Sequence, residues 1–197
     1  MILKKISKSE IESNPQNPRT RTEGDLDKMV KSLIDFPEMV YFIRPIVIGS
    51  NGMSLGGNQR YDGMQVIRAY TPPIKAEILD DQRIIRKRAN STPEQMAKFE
   101  EAMNYLLYDQ EFIVCDVSFL AKDKQEEFII KDNVPFGSWD WEAVNRLWGV
   151  ELVGSWGLEI PKWITSPDED EKPKEPEKPD ENVQYSHQCP ECGFEFN

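Results

Sequence analysis

Leu55-Gly56-Gly57-Asn58-Gln59-Arg60-Tyr61 is the stretch on which the reading of this chain turns. A short strand, Met53-Ser54-Leu55, leads into it, and a helix is predicted over Gln59–Tyr70. The glycine pair therefore stands at a strand-to-helix junction. Residues without a β-carbon let the backbone come close to a ligand. The helix amino terminus adds unpaired N–H groups and a partial positive charge. Arg60, in the first turn, brings a planar fork of donors that matches phosphate oxygens. Gly56, Gly57, Asn58, Gln59 and Arg60 thus form a candidate anion site. A plain tight turn, with glycines that only permit packing and a surface arginine beside them, fits the same residues.

Working outward, each proline in Asn14-Pro15-Gln16-Asn17-Pro18-Arg19 pushes its predecessor out of helical geometry, which predicts a loop. Leu26, Met29, Val30, Leu33 and Ile34 recur at three- and four-residue intervals, so Gly24–Phe36 reads as an amphipathic helix. Pro45-Ile46-Val47-Ile48 reads as a short buried strand, Ser50-Asn51-Gly52 as a hairpin turn, and Ile74–Leu79 as the next strand. Beyond residue 80 the pattern is mostly helical. Thr92-Pro93-Glu94 supplies a hydroxyl cap, a first-turn proline and an acid for a helix that runs to about Leu107. A strand over Phe112–Ser118, helices over Lys122–Ile130 and Trp141–Trp148, and a turn near Val150–Ser155 follow. The expected fold is α+β: a small mixed sheet with helices in 1–80, and a helical segment over 81–165 that completes the domain.

The chain has 197 residues, 39% of them hydrophobic, with five Trp and nine Phe, enough for a real core. Trp139, Trp141, Trp148 and Trp156 are expected to build that core under the second segment, with stacking on bases as the alternative. No run approaches the roughly 18 apolar residues that span a bilayer. The charged start Met1–Lys8 lacks the apolar stretch of a signal peptide, so a soluble, cytoplasmic protein without membrane contact is expected. Net charge is −11. Between 166 and 182, prolines and charges replace apolar residues, with eight acids against three lysines, which predicts a disordered acidic linker. A protein that grips duplex DNA unaided usually has the opposite balance. DNA contact would then need a local patch or a partner. Arg83-Ile84-Ile85-Arg86-Lys87-Arg88 is the one concentrated basic run, read either as a phosphate contact or as a solvated face.

Cys115, inside Phe112-Ile113-Val114-Cys115, is expected to be a buried core residue. Cys189-Pro190-Glu191-Cys192, within 183–197, has the form of one zinc knuckle. Zinc prefers four ligands, so His187 would be a third, or two chains would share an ion through four thiolates in a homodimer. An unmetallated tail is the alternative.

The ordered set Asn17-Pro18-Arg19, Leu26–Phe36, Pro45–Ile48 and Gly56–Arg60 resembles the ParB/sulfiredoxin superfamily over roughly residues 2–80. Phe128–Asn133, Gly137–Trp141 and Trp156–Pro161 resemble the ParB-like proteins of phages and mobile elements. The resemblance implies nucleotide or phosphate binding at Gly56–Arg60 with Arg19, and a magnesium ion carried with the nucleotide near Asp132 and Asn133. The simpler reading has Asp132-Asn133 ending the preceding helix. Sulfiredoxins carry a cysteine where this chain has Asn58, so sulfinic reductase chemistry is not expected. Partition-type relatives have Gly-Glu-Arg-Arg and bind CTP, and only Gly57 and Arg60 match that pattern. No helix-turn-helix is evident.

Three function classes follow. The first is a ParB-like DNA-associated protein with a nucleotide-binding turn, working with another DNA-processing protein. The second is an NTPase or metal-dependent nuclease, for which Asp62 and Asp132 are the candidate ligands, because the only histidine, His187, lies beyond the linker. The third is an interaction adaptor whose core site is vestigial.

Overall fold

The structure is a computed structural model and describes residues 2–15, 22–133, 138–165, 187–188 and 195–196. Strand β1 (Ile2–Ser7) ends in a 3-10 turn over Lys8–Glu10. Helix α1 (Glu23–Asp35) starts where expected, because Thr22 and Asp25 cap each other. The Asp25 N–H donates to Thr22 Oγ1 at 3.3 Å, and the Thr22 N–H donates to the Asp25 carboxylate at 2.8 Å. Its predicted apolar face is the one that packs, with Val30 and Leu33 buried. Strands β2 (Ile46–Ile48) and β3 (Ser54–Gly56) form the expected antiparallel hairpin around a turn over Ser50–Gly52. Helix α2 (Asn58–Ala69) follows the glycine pair and packs against α1 at Gly63. A β-carbon at Gly63 would sit 2.9 Å from Leu33 Cδ1, so glycine sets the closeness of the two helices.

Ile74–Leu79 is not a strand. It lies within helix α3 (Pro72–Arg88). The Ile74/Ala76/Ile78 alternation suggested a pleat, but two prolines after Thr71 pre-set helical φ at the first positions. The half-buried and buried residues, Lys75, Ile78, Leu79, Gln82, Arg83 and Arg86, recur at helical spacing. Helix α4 (Pro93–Tyr108) begins at the Thr92 cap and fills the centre, with Phe99, Ala102, Met103, Leu106 and Leu107 at 0% exposure.

Strand β4 (Glu111–Asp116) then inserts between the earlier strands, giving the order β1-β4-β2-β3. It runs antiparallel to β1, from Ile2 opposite Asp116 to Ser7 opposite Glu111, and parallel to β2, with Ile46 opposite Val114. The fold is mixed α+β, and one of its two inner strands, β4, comes from the second segment. Phe112 and Val114 face the core, so the two-residue period of a strand turns Cys115 the other way. Cys115 is half-buried rather than the core residue expected.

Helices α5 (Lys122–Lys131), α6 (Trp141–Leu147) and α7 (Val150–Ser155) follow. The tryptophan expectation fails here. Trp139, Trp148 and Trp156 are 60%, 50% and 60% exposed, and Val144 and Val153 are the buried residues of α6 and α7. Two helices of six or seven residues offer too narrow a stripe to cover large indoles as well.

All of these elements belong to one unit, Met1–Gly157; Leu158–Asn197 is a second. The second unit contains helix α8 (Lys162–Thr165) and a ribbon of β5 (His187–Gln188) with β6 (Glu195–Phe196), in which His187 pairs with Phe196. Arg19, the predicted linker over 166–182, and the proposed zinc ligands Cys189 and Cys192 lie outside the described residues. No described helix is long and apolar enough to cross a membrane.

Candidate functional site

β3 ends at buried Gly56, and the chain turns into α2 through Gly57 at φ 83° and ψ 19°. That left-handed geometry costs a side-chain-bearing residue roughly 1–2 kcal/mol. Gly57 offers the α2 amino terminus no capping side chain, so the first N–H groups depend on other partners. At Gly56 the constraint is space. A β-carbon there would lie 3.1 Å from Phe128 Cε1 and 3.2 Å from Asp132 Oδ2. The glycine pair is thus required by both torsion and crowding, and the crowding group is partly a carboxylate.

Arg60 folds back over this turn. Its Nη2 lies 2.8 Å, and its Cζ 3.3 Å, from where a Gly57 β-carbon would stand. Its Nε is buried and has no hydrogen-bond partner among the described residues. Burial, and then the charge of Arg44, push the guanidinium below the ordinary arginine value, while Asp132 opposes that fall. A buried donor without a partner costs free energy that a bound acceptor would recover.

Arg44 is the residue that sequence reasoning missed. It closes a π-helical turn over Met39–Ile43, where its N–H donates to Met39 O at 2.7 Å. Pro45 then directs the chain into β2. Because β2 is antiparallel to β3, with Val47 opposite Gly56, the residues just before β2 emerge beside the glycine turn. That hairpin register was the available signal. Arg44 Nη2 lies 4.0 Å from Asp132 Oδ1.

α5 delivers Asp132. The helix is pinned to the hairpin by buried Gln125, which accepts from the Ser50 N–H at 3.0 Å and donates to Leu120 O at 2.7 Å. The Asp132 N–H donates to Phe128 O at 2.9 Å, and Asn133 Nδ2 donates to Ile129 O at 2.7 Å. Both residues therefore end the helix, and both also line the cavity. The two readings of this pair are compatible.

The cavity, about 410 Å³, brings together Gly56, Gly57, Asn58, Gln59, Arg60, Asp132 and Asn133, and adds Arg44, Asn14 and Asp62. His187 stands in the second unit, and Arg19 and the cysteines are undescribed. No group of three or more His, Cys, Asp or Glu residues arranged to hold a metal occurs among the described residues. Magnesium that arrives on phosphates needs only one or two protein oxygens. The Asp132 carboxylate and the Asn133 amide oxygen fit that lesser demand.

Two arginines of the basic run have partners within the protein, while Lys87 and Arg88 are exposed. Arg83 Nε and Nη2 donate to Glu100 at 2.6 and 2.8 Å, and Arg86 makes two contacts of 2.9 Å to Glu38. Both arginines tie α3 to neighbouring elements. No protein-family model, no curated protein and no solved structure matches this chain.

Proposed function

We propose that this chain is a ParB-like, DNA-associated protein of the phage or mobile-element kind whose Gly56–Arg60 turn binds the phosphates of a nucleotide. One observation carries the reading: a buried, unpartnered Arg60 Nε beside a second arginine, over a glycine turn at a helix amino terminus. Each of these features favours an anion, and together they set two guanidinium groups against a single, more distant carboxylate, Asp132. Asp132 and Asn133 would take the magnesium that accompanies the nucleotide, and that ion would neutralise phosphate charge. The ordered motifs noted above supply the ParB/sulfiredoxin part of the proposal, and a cytoplasmic setting goes with it. The net charge of −11 argues for DNA contact through another DNA-processing protein or a second copy of the chain rather than alone.

Calorimetric titration of wild type and Arg60→Ala with CTP, ATP and GTP, with and without Mg²⁺, tests this. Binding by wild type that the variant loses is the expected result. Wild type that binds none of the three sinks the nucleotide reading. Should a nucleotide bind and turn over, loss of turnover in Asp132→Ala with binding kept would make the protein a hydrolase.

The adaptor reading has its own observation. A cleft of about 720 Å³ between α1, α3 and the end of α7 presents Phe36 and Trp156 at 45% and 60% exposure. Exposed aromatic surface of this kind marks protein contacts. Partner binding that survives Arg60→Ala would favour it.

A further inference from the structure

Arg44 has a place in the cavity but only a loose partner. Its guanidinium meets Asp132 at 4.0 Å, the outer limit of an ion pair, and its side chain is 56% exposed. The same carboxylate turns its other oxygen, Oδ2, toward Gly56. Arg60, by contrast, is packed on Gly57 with its Nε buried. One cation is therefore seated on the turn, and the other stands further out, held by an acid that also crowds the turn. We propose that Arg44 is a second phosphate ligand, held in reserve by Asp132, and that the site takes a chain of two or more phosphates rather than a single phosphate.

This rests on the phosphate reading of the turn. A first phosphate on the α2 amino terminus meets Arg60, and a second, further from the turn, meets Arg44. Arg44 then gives up a distant acid for a charge-assisted phosphate contact, and release from Asp132 is the cost of the exchange. Space permits it: about 410 Å³ is more than ten times the roughly 30 Å³ that a water molecule occupies. The mutual repulsion of Arg44 and Arg60 also falls once anionic charge lies between them.

The test titrates inorganic phosphate, pyrophosphate and tripolyphosphate into wild type, Arg44→Ala, Arg60→Ala and Asp132→Asn. Arg44→Ala should weaken pyrophosphate and tripolyphosphate about tenfold and phosphate less than twofold, the loss expected for one charge-assisted bond. Without added metal, Asp132→Asn should tighten pyrophosphate binding, and should tighten it less when combined with Arg44→Ala, because only the direct repulsion between carboxylate and anion is then relieved. Equal weakening of all three anions by Arg44→Ala, or none, overturns the proposal. So does an Asp132→Asn variant that binds like wild type. If wild type binds the anions and Arg60→Ala does not, the turn reading stands whatever Arg44 does. If wild type binds no anion, both fall together.

Discussion

Two pairs of arginines sit in the first unit, and their partners differ. Arg83 and Arg86, both on α3, are saturated. Arg83 forks onto Glu100 and reaches Asp80, and the Glu100 hydrogen bond raises its pKa. Arg86 forks onto Glu38, donates to Asp35 O at 3.3 Å and stacks 4.8 Å from the Phe99 ring centre. Arg44 and Arg60 instead share one carboxylate at a distance, and burial with mutual repulsion lowers the Arg60 value. Arg83 and Arg86, which hold helices together, each have an acid within hydrogen-bond reach, and Arg68, stacked on the Phe112 and Tyr105 rings, is held by the carbonyls of Tyr105 and Glu111. What sets Arg44 and Arg60 apart is that they line a cavity with only a distant acid between them, which makes them the pair available to a ligand. Charge density along the chain points first to α3, where Arg83 and Arg86 are already occupied and Lys87 and Arg88 are exposed.

The largest effect that would break this contrast is at Arg60. Arg60→Ala should abolish phosphate binding by calorimetry and leave the urea midpoint unchanged or slightly raised, since it removes a buried donor that has no partner among the described residues. Arg86→Ala should do the reverse. It should cost about 2 kcal/mol in urea unfolding, as expected for breaking a half-buried charged hydrogen bond, and leave anion affinity unchanged. If both variants lost binding and stability together, the division between architectural and ligand-directed arginines would be wrong. Gly57→Ala sharpens the comparison at the turn. The strained φ should cost roughly 1–2 kcal/mol, and the added methyl, 2.8 Å from Arg60 Nη2, should displace the guanidinium and weaken binding in the same titration.

The smallest effect concerns an acid that is matched as well as Arg86 is. The Asp116 carboxylate accepts from Lys4 at 2.7 Å and from the Ser118 N–H at 2.8 Å, and these bonds hold it at about 2, against 3.8 ordinarily. Because the folded state favours the ionised form, this stabilisation is complete above the ordinary carboxylate range. It drains away as pH falls from about 4 through about 2. Thermal unfolding in that window should show a shallower decline for Asp116→Asn than for wild type. An identical slope would mean that the contact contributes nothing in solution.

The sequence was legible where one signal dominated. The 3.6-residue spacing of Leu26 to Ile34, the Thr92-Pro93 start and the turn after Ile48 each act locally, and each element stands where expected. Ile74–Leu79 misled because its apolar residues fit a pleat and a helix equally, and the prolines that decide the matter lie just before it. The tryptophans misled because burial depends on what covers a helix, which spacing cannot report. In the site, Gly56 to Arg60 and Asp132 were legible as a turn and as a helix end. Arg44 was not, because its role depends on hairpin register and on α5 returning to the hairpin through Gln125. Both are properties of tertiary contact.

The position of β4 bears on how the protein is made. β1 is synthesised before β4, yet among the described residues its sheet neighbour is Glu111–Asp116, with Ile2 set against Asp116. During translation β1 must wait for this partner until the residues up to Asp116 have left the ribosome. Asp132 emerges later still. Closure of so long a loop before any pairing slows folding and leaves an open strand edge exposed meanwhile. A nascent chain stalled before β4 would therefore hold the glycine turn without a completed sheet beneath it, and ribosome-bound truncations ending before and after Asp116 should differ sharply in protease resistance.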